Sequence, residues 1–473
     1  METSVATAVD TGTRSVFDVL LDPRSVALIG ASTNPEALGG RPLGFLASYG
    51  YRGAVYPVNA KSDVVQGLPA YRSIADVPER VELAVVAVRA ELVPGVLREC
   101  AAAGVDLAAV LSSGFGEGMG LGRELLAEVE ADLARTPMRV LGPNCEGLAS
   151  LPASAPMTFS PVLDVRRTGS TLKQGSIAIV SQSGGLGFAI AQWGTEVGLG
   201  YNYIVTTGNE LDIDSLELAA HLADDPGTEV LVLVVEGFRD VTQLPVVADR
   251  FRAAGKRLVV AKLGQTEAGA RGALAHTSHV AGDPIEYDEL FRAHGVLQAS
   301  DVDELIDLLQ AITKARPPAG NRVGVVTTSG GAGVWLADAL TAQGFAVPRL
   351  SEQTQAQLRA HMPSFGSPGN PVDLTAQFLA SGSFVPPMRC LIDSGEVDLV
   401  VLTTSLSSAG RLAGDREALG RLVEESPVPI VVHSYTKPAS SCVEILDELG
   451  VPWYTNPNRA ARGLAGLIDG SLR

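Results

Sequence analysis

Positive charge is short in this sequence: 36 Lys and Arg stand against 53 Asp and Glu, a formal net charge of −17 over 473 residues. Nucleic acids and anionic membrane surfaces are held by an accumulated positive field, so this balance argues against both, and an anionic small ligand must be held by a local device. Cysteine is sparse too. Cys100, Cys145, Cys390 and Cys442 lie far apart and form no CxxC pair, so neither a disulfide framework nor a zinc site is indicated and no metal is expected. Long apolar runs are missing as well: stretches such as "VLVLVV" have strand length, and the N-terminus shows no basic segment leading into an apolar one. A soluble, cytoplasmic protein is expected.

What is present in quantity is apolar side chain, 46% of residues against 19% charged, which suits layered α/β structure. A chain of this length exceeds one ordinary core. Short β-rich runs alternate with helical patterns, the signature of parallel sheets built from βαβ units. A first set, "SVALIGAS", "AVYPVN", "LAVVAV", "LAAVLSSGF" and "MRVLGPN", ends near residue 150, and the connection "LPASAPMTFSP" follows. A second set is "SIAIVSQSGG", "YNYIVTTGN", "EVLVLVVEG" and "RLVVAKLG"; a third, after the linker "RPPAGN", is "RVGVVTTSGG", "FAVPRL", "DLVVLTTS" and "PIVVHSY". The expected fold is α/β with three doubly wound domains: Rossmann-like over residues 1–150, flavodoxin-like over 151–316, and a second flavodoxin-like domain over 317–473. "SGGLGFAIAQWGTEVG" from Ser183 and "SGGAGVWLADALTAQG" from Ser329 align on Ser, three glycines, an alanine and the last glycine, which points to an internal duplication.

Doubly wound sheets bind ligands at the C-terminal ends of their strands. The first such turn, "GASTNPEALGG", lacks GxGxxG, yet Gly30, Ser32 and Thr33 still put small residues and amides where a phosphorylated ligand would sit. "SSGFGEG" and "GPNCEG" fall at the same edge. In the second domain "SQSGGLG" follows a strand and opens a helix, so the amides of Ser183, Gly184 and Gly185 are expected to hold phosphate, a simple packing turn being the other reading. "TTSGGAG" at 327–333 repeats the pattern and reads equally as an inherited turn.

Two of the six histidines stand three apart in "RGALAHTSHVAG", among glycines that let the segment reposition. A neutral imidazole accepts a phosphoryl group, and an unperturbed pKa of about 6.5 leaves much of it neutral in a cell. His276 is the expected acceptor. Glu236, closing the strand "EVLVLVVEG", is the expected carboxylate that orients the ring, solvent capping of a strand end being its other reading. His433 and Cys145 read as structural.

In their order, "YRGAVYPVN", "SSGFGEG", "GPNCEG", "SQSGGLG", "TGNELDID", "VVEGFRD", "AHTSHVAG" and "GNPVDLT" resemble the α subunit of NDP-forming acyl-CoA synthetases, among them ADP-forming acetate:CoA ligases and, more distantly, succinyl-CoA synthetase. The resemblance implies a relay in which acyl-CoA and phosphate give acyl phosphate, a histidine takes the phosphoryl group, and a nucleotide receives it. It implies that His276 is phosphorylated, that Glu236 stabilises the phosphohistidine, and that Ser183, Gly184 and Gly185 hold phosphate. It also implies a coenzyme A site in the loops carrying Gly30, Ser32, Thr33, Arg41, Asn59, Lys61, Ser113, Gly114 and Asn144. The chain departs from the family pattern at Ala275, Ser278 and His279, and His279 is an alternative acceptor or a second group on the phosphate. Arg89, where the family has proline, stands near the expected coenzyme A crevice and can pair with phosphate. No segment reads as an ATP-grasp fold, so the resemblance implies a separate ATP-grasp β subunit, handling ATP or another NTP with Mg, in a hetero-oligomer.

Two other classes remain open at this level. A non-catalytic acyl-CoA-binding regulatory protein on the same scaffold is favoured by the altered neighbours of His276. An NAD-dependent oxidoreductase is disfavoured by the missing GxGxxG and by "VNAK" after the second strand, which offers no acidic ribose ligand.

Overall fold

The computed structural model describes residues 14–115, 121–276, 284–380 and 382–468. It is an α/β protein that divides into two compact units. The larger holds Met1–Ala191, Tyr201–Arg257 and Lys262–Tyr287; the smaller holds Gln192–Gly200, Leu258–Ala261 and Asp288–Arg473.

In the larger unit, strands β1 (Ser25–Ile29), β2 (Ala54–Val58), β3 (Leu83–Val86), β4 (Leu107–Val110) and β5 (Arg139–Leu141) form a parallel sheet in the order β2-β1-β3-β4-β5. These are the five runs expected of the first set. β1, β3 and β4 are buried along their whole length, as continuous apolar runs in a sheet covered on both faces should be. In the second sheet the strands of this unit are β6 (Gly147–Ser150), β7 (Ala155–Thr158), β8 (Gln174–Ser181), β9 (Tyr201–Thr206) and β10 (Val230–Val235), in the order β10-β8-β9-β6-β7. The first three of that order are parallel, while β6 runs antiparallel to β9 and β7. β11 (Arg257–Lys262), through which the division between the units passes, pairs in parallel with β12 (Leu297–Gln298).

β7 lies inside "LPASAPMTFSP", the Pro/Ser-containing stretch that reads as a connection, and forms a hairpin with β6. Pro156 stands opposite Ala149 on β7, the edge strand, where a missing N–H interrupts no inner ladder.

The smaller unit builds β13 (Val323–Thr327), β14 (Val372–Asp373), β15 (Leu399–Thr404), β16 (Ile430–Ser434) and β17 (Trp453–Tyr454) into a parallel sheet ordered β14-β13-β15-β16-β17. Alternate residues feed two cores: Val326, Val400, Leu402 and Val432 one of them, Val325, Val401 and Val431 the other. "FAVPRL" is not a strand; only Ala346 bridges, to Arg322. Pro348 has no N–H to extend that ladder, and β14, from "GNPVDLT", takes the sheet edge. Among the described residues no helix is long and apolar enough to cross a membrane.

The helices that position the elements below are α1 (Arg41–Tyr49), α2 (Gly184–Thr195), α3 (Glu267–His276), α4 (Pro284–Ala293), α5 (Val302–Lys314), α6 (Gly330–Ala342) and α7 (Pro457–Ile468). Asp307 of α5, 1% exposed, receives two hydrogen bonds from Arg459 of α7 at 2.7 and 2.9 Å. Burial raises its carboxyl above the usual range against the pull of Arg459. Arg459→Met should leave that carboxylate without its partner and lower unfolding free energy by about 3 kcal/mol, read by denaturant titration; adding Asp307→Leu should restore part of the loss.

Candidate functional site

Both sheets of the larger unit reverse strand order beside the first strand of their parallel part, β1 in one and β8 in the other. Such a switch point opens a crevice at the carboxyl ends.

In the first sheet Gly30 lies there at φ +87. A Cβ on it would come within 2.3 Å of the Ala87 carbonyl oxygen, so glycine alone lets the loops after β1 and β3 close on each other. Asn59, after β2, donates to the Ala31 carbonyl at 2.7 Å and accepts from the Lys61 N–H at 2.8 Å. Gln66 donates to the carbonyls of Ser32 and Gly40, both at 2.9 Å. Gly30, Ser32 and Asn59 thus form one cluster, with Thr33 and Lys61 exposed at its rim. Ser113 and Gly114 line a cavity of about 320 Å³ together with Arg89, Glu91, Gly122 and Leu125. Asn144 donates its N–H to the Ser112 carbonyl at 2.9 Å and its side-chain amide to Asn209 at 3.2 Å. Arg41, the first residue of α1, donates to the Phe159 carbonyl at 3.0 Å, and its charge acts on Glu146.

In the second sheet the loop after β8 becomes the first turn of α2, whose amides have no intrahelical acceptor. Ser181 Oγ donates to the Ser183 carbonyl at 2.6 Å and fixes the turn. A methyl on Gly184 would meet Glu146 Cβ at 2.8 Å, so the glycine admits that side chain. Burial raises the Glu146 carboxyl, against a hydrogen bond from Ser160 and the charge of Arg41. Gln182, 3% exposed, joins three loops. Its oxygen accepts from the Glu236 N–H at 2.7 Å, and its amide donates to the Gly237 carbonyl at 2.6 Å and to Glu210 at 3.0 Å. Glu210, also buried, accepts from Thr207 and from the Ser215 N–H. Lys262 Nζ donates to the Glu236 carbonyl at 2.7 Å.

Gln182 therefore ties the turn that carries Ser183, Gly184 and Gly185 to the backbone of Glu236 at the neighbouring strand end. His276 is the last residue of α3; its side chain, and His279 with all of 277–283, lie outside the described residues. Sequence reading passed over Gln182, Lys262 and Glu146. A lysine directly after the apolar run "LVVA" is the one local signal among them.

In the smaller unit the duplicate turn repeats these braces. Thr327 Oγ1 donates to the Ser329 carbonyl at 2.8 Å, and a methyl on Gly333 would strike Thr327 as one on Gly187 would strike Ser181. Thr328 replaces Gln182 there, its hydroxyl within 3.2 Å of Thr404 and 3.3 Å of Tyr435. His433 is 2% exposed, with neither ring nitrogen partnered among the described residues, and burial lowers it to about 4.

Three families match the chain in succession: the CoA binding domain over residues 24–150, the succinyl-CoA ligase like flavodoxin domain over 174–312, and the ligase-CoA domain over 323–388. The chain is 33% identical over 467 residues to the α subunit of ADP-forming acetate–CoA ligase I of Pyrococcus furiosus, a match covering 96% of this chain and 98% of the relative. It is 31% identical over 462 residues to the α subunit of ligase II from that organism, with coverage of 96% and 98%. It is similar to the solved structure of the dinucleotide-forming acetyl-coenzyme A synthetase 1 of Ca. Korarchaeum cryptofilum in complex with phosphate and ADP, at a TM-score of 0.85 and 31% identity, with 96% of each chain covered.

Gln182→Leu should leave the Glu236 N–H, the Gly237 carbonyl and one oxygen of Glu210 short of partners and cost about 3 kcal/mol of stability, measured by denaturant titration. For His433 the folded ring stays neutral where the unfolded ring protonates near 6.5. Its stabilising contribution is full above about pH 6.5 and is lost as pH falls toward about 4. Denaturant curves of His433→Leu over that interval should show a shallower decline than those of the parent.

Proposed function

The chain belongs to the family of ADP-forming acetate–CoA ligase α subunits, and we propose that it is the coenzyme A-binding, phosphoryl-carrying subunit of an NDP-forming acyl-CoA synthetase. Such an enzyme is an acid-thiol ligase that reversibly joins a carboxylate to coenzyme A as NTP becomes NDP and phosphate.

In the direction that consumes acyl-CoA, a phosphate oxygen attacks the thioester carbonyl. The C–O bond forms, the C–S bond breaks, and the departing thiolate takes up a proton. A ring nitrogen of His276 then attacks phosphorus in the acyl phosphate, so that N–P forms, P–O breaks and the carboxylate leaves. A terminal oxygen of a nucleoside diphosphate finally takes the phosphoryl group and restores the imidazole. Ser183, Gly184 and Gly185 hold the phosphate through amides, and Glu236 accepts from the other ring nitrogen, fixing the tautomer and offsetting charge on the ring. The loops of Gly30, Ser32, Thr33, Arg41, Asn59, Lys61, Ser113, Gly114 and Asn144 receive coenzyme A, and Arg89 pairs with one of its phosphates.

The nucleotide and its Mg belong to a separate ATP-grasp β subunit in a cytoplasmic hetero-oligomer; the naming of the relatives as α subunits supports a partner chain. The division into domains 1–150, 151–316 and 317–473 is part of the same proposal, supported by three family matches in that order. The single observation that supports the reading is the Gln182 bridge, which ties the turn of Ser183, Gly184 and Gly185 to the backbone at Glu236.

Incubation with acetyl-CoA and labelled phosphate should put acid-labile, alkali-stable label on the chain. His276→Ala should abolish the label and His279→Ala should retain it. The opposite pattern moves the acceptor three residues, and coenzyme A binding without label under any condition would leave the regulatory reading in its place.

A further inference from the structure

Glu236 is held at both of its backbone polar atoms, the N–H by Gln182 and the carbonyl by Lys262. Lys262 closes β11 and is only 7% exposed. It donates to the Leu263 carbonyl at 2.6 Å as well as to that of Glu236, and its ammonium lies 5.0 Å from the centre of the Tyr287 ring. Tyr287 of α4 in turn accepts from the Phe238 N–H at 3.4 Å. One ammonium thus ties together the end of β10, the start of the segment that leads through α3 to His276, and the helix that follows it. A lysine buried at the end of an apolar strand costs free energy that packing alone does not require.

We propose that Lys262 is a positioning residue for the phosphoryl relay: its charge and its hydrogen bond to the Glu236 carbonyl keep Glu236 placed as the acceptor for the ring of His276. This inference rests on the function proposed above. Among the described residues the titratable groups that face it are the Glu236 carboxylate beyond β10 and the Tyr287 phenol on α4. Burial lowers the ammonium to about 8 while Glu236 pulls it back up. Above that pH the amine is neutral, the cation–π contact is gone and Glu236 loses the adjacent positive charge. Arginine at this position stays protonated throughout the range.

The test is the initial rate of His276 labelling from acetyl-CoA and labelled phosphate, between about pH 6 and about pH 10, with coenzyme A binding measured alongside by titration. The parent chain should lose rate along an alkaline limb centred near 8. Lys262→Arg should keep the neutral-pH rate and lose that limb. Lys262→Met should label about tenfold more slowly, the effect of one charge-assisted contact, with no limb in that range and with coenzyme A binding unchanged. Labelling of Lys262→Met at the parental rate overturns the inference, as does an alkaline limb that persists near 8 in Lys262→Arg. If the methionine variant fails to fold, the profile of the arginine variant decides. Label that persists in His276→Ala refutes the relay itself, whereas label lost in His276→Ala but untouched in Lys262→Met refutes only the role of Lys262.

Discussion

The side-chain amide of Gln182 holds two loops of the second crevice in register. Its oxygen takes the N–H of Glu236, and its NH2 serves the Gly237 carbonyl and the buried carboxylate of Glu210. Glutamate at this position could not donate, and leucine could neither donate nor accept. Because the site is buried, bonds left unmade cost more than bonds made return. The switch in strand order between β8 and β10 opens the space, and the amide sets its width. Carboxylates crowd this region, Glu146, Glu210 and Glu236 among them, in a chain already strongly acidic. With those charges around it, an anion at the first turn of α2 would rely on backbone amides and not on a general field.

The strand–turn–helix unit occurs twice with the same internal braces and different chemistry. Ser181 and Thr327 fix their turns in the same way, and Gly187 and Gly333 admit the same close approach. The glutamine that reaches Glu236 is a threonine in the second copy, where hydroxyls meet hydroxyls. The two turns share what the backbone needs in order to turn, and the side chain between the braces differs.

The α/β class, the strand-sized runs and both glycine turns were legible because each depends on neighbours in sequence: an apolar stretch, a breaker, a helix opening. Legibility failed where a proline had to be judged without knowing its place in a sheet. "APMT" is an edge strand in spite of Pro156, whereas "FAVPRL" contributes no strand and β14 takes the edge instead. Nor does any local pattern show that Arg41 reaches the carbonyl of Phe159, 118 residues away in sequence.

Alone, the sequence determined the alternation of strand and helix, the turns that point amides outward, and the residue types able to carry a phosphoryl group. Only tertiary structure decided which of them meet: Gln182 with Glu236, Glu236 with Lys262, Gly184 with Glu146. Local pattern follows from backbone sterics and burial of one face, which a short window of residues contains. Contact across a parallel sheet follows from strand order, which is set by crossover connections dozens of residues long and by the packing of both faces at once.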